Sequence, residues 1–307
     1  MAYDSIYEPL RRFPAMDIGK LKMARVMMRA MQAAQPKKTS PDVEIEDQLV
    51  ARAGRSIPIR LYRPRNVEKA GVLLFFHGGG FIVGNLDTEH ARCVDYAALG
   101  KCAVVSVDYR LAPEDPFPAA HDDGWEILNW LREGGAGDKI DPTRIGVGGG
   151  SAGATLAAGL ALRDRDEGSA SISFVLLMQP VVDHLCSQPS AQTFTDTLFL
   201  RAGDLPVSWR AYLGKAPPTG PLLSYASPFA ASDFRGLAPT LAIIGAEDPS
   251  RDEALTLASR MMADDVDVEL HFFPGAPHGF EMVEAAPATQ TSLALRASAL
   301  IRALARA

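Results

Sequence analysis

Ile145-Gly146-Val147-Gly148-Gly149-Gly150-Ser151-Ala152-Gly153-Ala154 decides how this chain is read. A short apolar run ends in three glycines, a serine follows, and a small, apolar stretch continues to Arg165. The run reads as a buried strand and the stretch as a helix. Between them Gly149-Gly150-Ser151-Ala152-Gly153 spells G-x-S-x-G in the strand–turn–helix setting that pattern requires. Glycines permit a turn too tight for flanking side chains, which lifts the serine oxygen out at the carboxyl end of a sheet. The N–H of Ala152 then lies at a helix N-terminus, aimed where an oxyanion would form. Alone the pattern is common, and a glycine-rich turn with an incidental serine is spelled the same way. Gly148-x-Gly150-x-x-Gly153 also fits a dinucleotide fingerprint. That chemistry needs an acid about 20 residues on, at the end of the next strand; the sequence has Met178-Gln179-Pro180 there.

Outward from the serine, other short apolar runs appear at 72–76, 103–107, 174–178, 241–244 and 270–273. Continuously apolar strands are covered on both faces, which predicts a parallel sheet with helices above and below. Helical patterns lie between them at His121–Glu133, Asp252–Asp264 and along the stripe Leu293, Ala297, Leu300, Ile301, Leu304. The expectation is an α/β fold, doubly wound. Val43–Ala51 and Ile57–Tyr62 alternate as antiparallel strands around a turn at Ala53-Gly54-Arg55, and residues 35–41 read as a linker. Residues 16–34 read as a basic amphipathic helix. Such a helix can lie on a membrane, but the acidic chain favours packing on its own domain. The Pro- and Gly-containing stretch 184–223 interrupts the rhythm, as a lid or binding loop does. It holds a short helix around Trp209, Tyr212 and Leu213. The division expected is 1–40 as an N-terminal cap segment and 41–307 as the catalytic domain, with 184–223 as a cap insertion over the strand ends.

A serine hydroxyl needs a base, and the base an orienting carboxylate. His278 sits in Phe273-Pro274-Gly275-Ala276-Pro277-His278-Gly279-Phe280, a constrained loop after a strand. His77, His90, His121, His184 and His271 read as structural. Glu247-Asp248-Pro249-Ser250-Arg251-Asp252-Glu253 follows the strand at 241–244. Asp252 and Glu253 read as a helix start, and Asp248, ahead of it, as the orienting acid. The order Ser151, Asp248, His278 is the one α/β-hydrolases use. His77-Gly78-Gly79-Gly80-Phe81 follows the strand at 72–76, an HGGG-type loop that supplies oxyanion donors.

Composition limits the alternatives. Hydrophobic residues make up 47% and charged residues 22% of 307, which argues for a folded chain with one large core. Thirty-one Lys and Arg against 37 Asp and Glu leave a net charge of −6, and without a basic block nucleic acid is not an expected partner. No apolar stretch reaches the ~20 residues of a membrane span. The acid-bearing start MAYDSIYEPLRRF lacks the apolar core of a signal peptide. Cys93, Cys102 and Cys186 share no metal-ligand spacing. The expectation is a cytoplasmic protein without metal or cofactor. A Met-rich helix face (Met23, Met27, Met28, Met31) is a candidate wall of an apolar pocket.

With these residues in place, the chain resembles the hormone-sensitive-lipase-like (bacterial family IV) esterases of the α/β-hydrolase superfamily. The matching motifs are HGGGF at 77–81, Tyr109-Arg110-Leu111-Ala112-Pro113-Glu114 with Phe117-Pro118-Ala119-Ala120, the serine turn, Asp248-Pro249 with Arg251-Asp252-Glu253, and His278-Gly279-Phe280. The resemblance covers roughly residues 40–305. It implies an eight-stranded, mostly parallel sheet with helices on both faces and a helical cap. It also implies hydrolysis of short- to medium-chain esters through an acyl-enzyme, no cofactor, and often a homodimer. Carried over, Ser151 is the nucleophile, His278 the base, Asp248 its partner, and the N–H groups of Gly79, Gly80 and Ala152 the oxyanion hole. Two positions depart: Gly150 stands where Asp or Thr is usual, and Ser250 where Leu is usual. The same triad could open a lactone or an amide, and a non-catalytic small-ligand receptor is the alternative from another class.

Overall fold

The computed structural model describes residues 3–13, 15–34 and 36–305. After a 3-10 segment at Ser5–Arg12 and a short one at Ile18–Lys20, the elements run α1 Leu21–Ala33, β1 Val43–Arg52, β2 Arg55–Pro64, β3 Ala70–Phe76, α2 His90–Leu99, β4 Ala103–Val107, α3 Ala119–Arg132, β5 Ile140–Gly150, α4 Ala152–Asp166 and β6 Ile172–Met178. Three short helices follow: α5 Pro189–Thr193, α6 Leu205–Leu213 and α7 Pro221–Ala226. β7 Thr240–Glu247, α8 Arg251–Ala263, β8 Val268–Pro277 and α9 Pro287–Leu304 close the chain.

The eight strands form one sheet in the order β1-β2-β4-β3-β5-β6-β7-β8, antiparallel at β1/β2 and β2/β4 and parallel elsewhere. The expected α/β-hydrolase architecture is therefore present. Alternation along the buried strands splits the core. Val72, Leu74 and Phe76 face a cluster containing Leu156 and Leu160 of α4 and Ile127 and Leu128 of α3. Leu73 and Phe75 face the opposite cluster, with Val94 and Ala97 of α2 and Leu300 and Leu304 of α9. Each large side chain buried in this way contributes about 1.5–3 kcal/mol.

Several boundaries differ from the sequence reading. The β1–β2 hairpin turns on Ala53 and Gly54 alone, both at positive φ (48° and 72°), the conformation a two-residue turn needs; Arg55 already belongs to β2. α2 carries no strong apolar stripe and was not expected. Residues 18–20 form a 3-10 turn before α1, and Gln35 of the expected linker lies outside the described residues. Phe13 and Met16, ahead of α1, do touch the 184–223 stretch. Phe13 meets Phe199 edge-on at 5.0 Å, and the Met16 N–H donates to Asp204 at 2.7 Å. α1 joins them through Leu21, which packs with Ala211 of α6 in that stretch and with Ile82 and Ala112 of the body.

Candidate active site

Register brings the carboxyl ends of five strands together. Phe76 of β3 pairs with Gly149 of β5, Gly150 with Met178 of β6, and Glu247 of β7 with Pro277 of β8. The residues that follow are His77, Ser151, Gln179, Asp248 and His278. Asp248 and His278 thus leave two neighbouring strands from paired positions, although 30 residues separate them in sequence.

Ser151 occupies the turn at φ 55°, ψ −120°, a strained conformation for a residue with a side chain. The turn closes only because its neighbours are bare. A Cβ on Gly149 would come 2.3 Å from the backbone of Gly153, and one on Gly153 would come 2.1 Å from the carbonyl oxygen of Phe76. The Ser151 N–H donates to the Met178 carbonyl at 2.8 Å, which anchors the turn to β6.

Ser151 Oγ lies 2.9 Å from His278 Nε2, and His278 Nδ1 lies 2.7 Å from Asp248 Oδ2. A buried carboxylate accepts at Nδ1, so Nδ1 carries the hydrogen and Nε2 is left to accept the serine proton. Asp248 and His278 are buried, at 0% and 2% exposure, while Ser151 stays partly open. Asp248 Oδ1 accepts from both the N–H and the hydroxyl of Ser250, each at 2.8 Å. The position departing from the usual Leu therefore adds a donor to the carboxylate. Phe199, from the expected insertion, lies nearly parallel to the His278 ring at 6.2 Å between centroids.

The glycine loop lies against the serine turn: a Cβ on Gly78 would sit 3.5 Å from that of Ser151. Gly79 has φ 122° and no room for a side chain, because a Cβ would meet the Val83 carbonyl at 2.1 Å. The N–H groups of Gly79, Gly80 and Ala152 have no acceptor among the described residues. His77 holds the loop from behind. Its Nδ1–H donates to the Gly78 carbonyl at 2.7 Å, its ring stacks on Tyr109 at 4.2 Å, and the Tyr109 hydroxyl donates to the His77 carbonyl at 2.8 Å. Burial pushes the His77 imidazole down to about 4, so it stays neutral and structural. His121 is likewise buried, pushed down to about 3; His90, His184 and His271 bond to Lys38, Ser227 and Glu269.

Asp252 and Glu253 open α8 as expected, and they also tether α5 of the insertion and the segment that leads into it. Asp252 Oδ2 accepts the Ser190 N–H at 2.9 Å, and Glu253 Oε1 the Val182 N–H at 2.6 Å. Burial raises the Glu253 carboxyl well above the usual carboxylate range. Two contributors were missed. Gln179, at φ 46°, accepts the Gly279 N–H at 2.7 Å and donates to Glu281 at 2.7 Å, which fixes the loop carrying His278. Its position directly after a strand end was the available signal. Met16 packs against Gly80, where a Cβ would stand 2.9 Å from its methyl group. The expected methionine wall does not form: Met23, Met27 and Met31 are 67%, 57% and 53% exposed, and only Met28 is half-buried.

Gly150 needs no special backbone, and a Cβ there would meet nothing closer than the Met178 methyl at 3.6 Å. Beyond it lie Arg92 Nη1 and Glu89 Oε1, both at 3.7 Å, and Arg92 Nη1 donates to the other carboxylate oxygen of Glu89, Oε2. Gly150→Ala is expected to raise stability by about 0.4–1 kcal/mol through the unfolded chain and to leave kcat/KM within about twofold. Gly150→Asp would set a second carboxylate beside Glu89 and lose that gain. Melting temperature and ester turnover of the two variants check this. Among the described residues no group of three or more His, Cys, Asp or Glu could hold a metal ion.

A family model described as alpha/beta hydrolase fold matches residues 73–282. Esterase LipI of Mycobacterium tuberculosis is 36% identical over 78% of this chain and 76% of its own. Carboxylesterase NlhH of the same species is 34% identical over 92% and 90%. The crystal structure of esterase LipW from Mycobacterium marinum superposes with a TM-score of 0.90 at 36% identity, covering 98% of this chain and 96% of that one. With this sheet order, serine turn and glycine loop, the chain belongs to the alpha/beta hydrolase family, as a carboxylic ester hydrolase of the hormone-sensitive-lipase-like group.

Proposed function

We propose that Ser151, His278 and Asp248 hydrolyse short- to medium-chain carboxylic esters through an acyl-enzyme. The contact that carries this reading is the unbroken relay Ser151 Oγ–His278 Nε2 at 2.9 Å and His278 Nδ1–Asp248 Oδ2 at 2.7 Å. As Ser151 Oγ bonds to the ester carbonyl carbon, His278 Nε2 takes its proton. The carbonyl oxygen becomes an oxyanion facing the N–H groups of Gly79, Gly80 and Ala152. One such donor is worth about 100–1000-fold in rate. Collapse breaks the bond to the alkoxy oxygen, which receives the proton from His278. Water then attacks the acyl carbon, gives its proton to His278, and the acid leaves as Ser151 regains its hydrogen.

The size of the acyl group follows from what crowds the loop. Met16 and Ser208 abut Gly80, Trp209 is buried behind them, and Phe199 covers His278. These residues belong to the N-terminal segment 1–40 and the 184–223 insertion, which we assign together as the cap over the 41–307 catalytic domain. In a p-nitrophenyl ester series from acetyl to lauroyl, kcat/KM is expected to peak at short to medium chains. Beyond that length it should rise no further, since a methylene left in water gains none of the about 0.8 kcal/mol that burial supplies. A profile rising to lauroyl would overturn the size assignment. Stoichiometric labelling of Ser151 by a serine-directed phosphonate is the accompanying control.

The partner in this reading is a small ester, and the resemblance extends the proposal to a homodimer. No helix among the described residues is long and apolar enough to cross a membrane. A cytoplasmic site of action is supported by Cys93, Cys102 and Cys186, which are free thiols.

A further inference from the structure

α1 is turned inside out. The stripe it presents to the body is Leu21, Arg25, Met28 and Gln32, spaced as one helical face, and it is half polar. Arg25 fixes that orientation: its guanidinium donates to the carbonyls of Ile82 at 2.7 Å and Ala112 at 2.8 Å, and pairs with Glu114 at 2.9 Å. Gln32 joins it through Thr88 at 3.3 Å and Asn85 at 2.9 Å. The outward stripe is Met23, Val26, Met27, Ala30 and Met31, the i, i+3, i+4, i+7, i+8 spacing that normally faces a core. All five are exposed, and Val26 at 66% and Met23 at 67% are among the most exposed large apolar residues of the protein. Contiguous apolar surface of this kind marks a docking surface.

Charge beside the stripe selects the occupant. Lys22 and Arg29, one heptad apart, flank it and are exposed, and Lys20 lies at its foot, paired only loosely with Asp17 at 3.5 Å. No acid occurs between Ile18 and Pro41, in a chain whose overall charge is −6. A two-fold contact with a second copy would set these cations against themselves without an acid in α1 to meet them. An apolar strip with a cationic margin fits a surface that offers acyl chains below and negative headgroups above.

We propose that the outer face of α1 docks the protein on an anionic lipid surface, with Met23, Val26, Met27 and Met31 entering the acyl boundary and Lys22 and Arg29 against the headgroups. The inference goes beyond the esterase reading and stands whichever residue is the nucleophile. The test is co-sedimentation of the full chain with phosphatidylcholine vesicles, pure or containing about one third phosphatidylglycerol. The wild-type protein is expected to pellet with the mixed vesicles and far less with the pure ones. Lys22→Gln with Arg29→Gln should weaken that partitioning roughly 25-fold, at about fivefold per cation. Met23→Gln with Met27→Gln should weaken it about tenfold or more. Melting temperature and turnover of a soluble acetyl ester should stay at wild-type values in both pairs. No pelleting of the wild type with mixed vesicles, or equal pelleting of the variants, overturns the proposal. So does a wild-type dimer that the methionine pair converts to monomer in the absence of lipid, which would make this face a subunit contact.

Discussion

Ser151→Ala is expected to lower kcat on a short acyl ester by about 10⁶-fold while leaving a rate some 10³–10⁴ above the uncatalysed reaction. The size of the loss follows from what the oxygen does: it is the atom that becomes bonded to the acyl carbon, and no other described hydroxyl lies against His278 Nε2. The residue of activity follows from what the substitution spares. The glycine loop stays locked by its close approach to Val83 and by His77 on Tyr109, so its N–H groups still face a bound carbonyl. KM should change little, because the side chain removed is small and makes no apolar wall. Stability should shift by no more than about 1 kcal/mol, the worth of a single hydrogen bond. Alanine inherits the backbone strain at φ 55° unchanged. Purified variant and wild type, compared by steady-state turnover, phosphonate labelling and thermal melts, check all three expectations. Retained turnover in a correctly folded variant would remove Ser151 from the mechanism.

What the sequence disclosed, and what it hid, divides along physical lines. The serine turn was legible because its constraint is local: Gly149 and Gly153 are required by atoms within a few residues or on the adjoining strand. His278 and Asp248 could be named as loop residues after strands, but their meeting depends on the pairing of Glu247 with Pro277, a register no local pattern states. α1 shows the same limit differently. Its apolar period was visible, and the natural inference was that the methionines face inward. The face that packs is instead decided by Arg25 reaching carbonyls 57 and 87 residues away. α2 was overlooked although Cys93, Val94 and Ala97 are spaced for one buried face, because His90, Arg92 and Asp95 dilute the stripe. Ser250 looked like a minor departure from a family pattern. Only coordinates reveal that its hydroxyl points back to the carboxylate two residues earlier.

That hydroxyl allows a sharper test of the acid. Asp248→Asn is expected to lower kcat by about 10⁴-fold with little change in fold. The side chain keeps its shape, but it can no longer present two anionic oxygens, one to Ser250 and one to His278 Nδ1–H. If the amide oxygen stays with the two Ser250 donors, the amide NH₂ faces His278. The imidazole then accepts at Nδ1, carries its hydrogen on Nε2, and offers Ser151 a donor where a base is needed. Ser250→Ala separates this effect from mere disturbance of the site. It removes one donor to a buried carboxylate but leaves the Ser250 N–H and the His278 contact, so stability should fall by about 1.5–3 kcal/mol while kcat stays within about tenfold. A thousandfold gap between the two variants in kcat, with the smaller kinetic effect belonging to the less stable protein, assigns the orienting role to the Asp248 charge. A loss under tenfold in Asp248→Asn would pass that role to another acid, and Glu253 is the buried carboxyl nearest in the chain, its own proton held by burial.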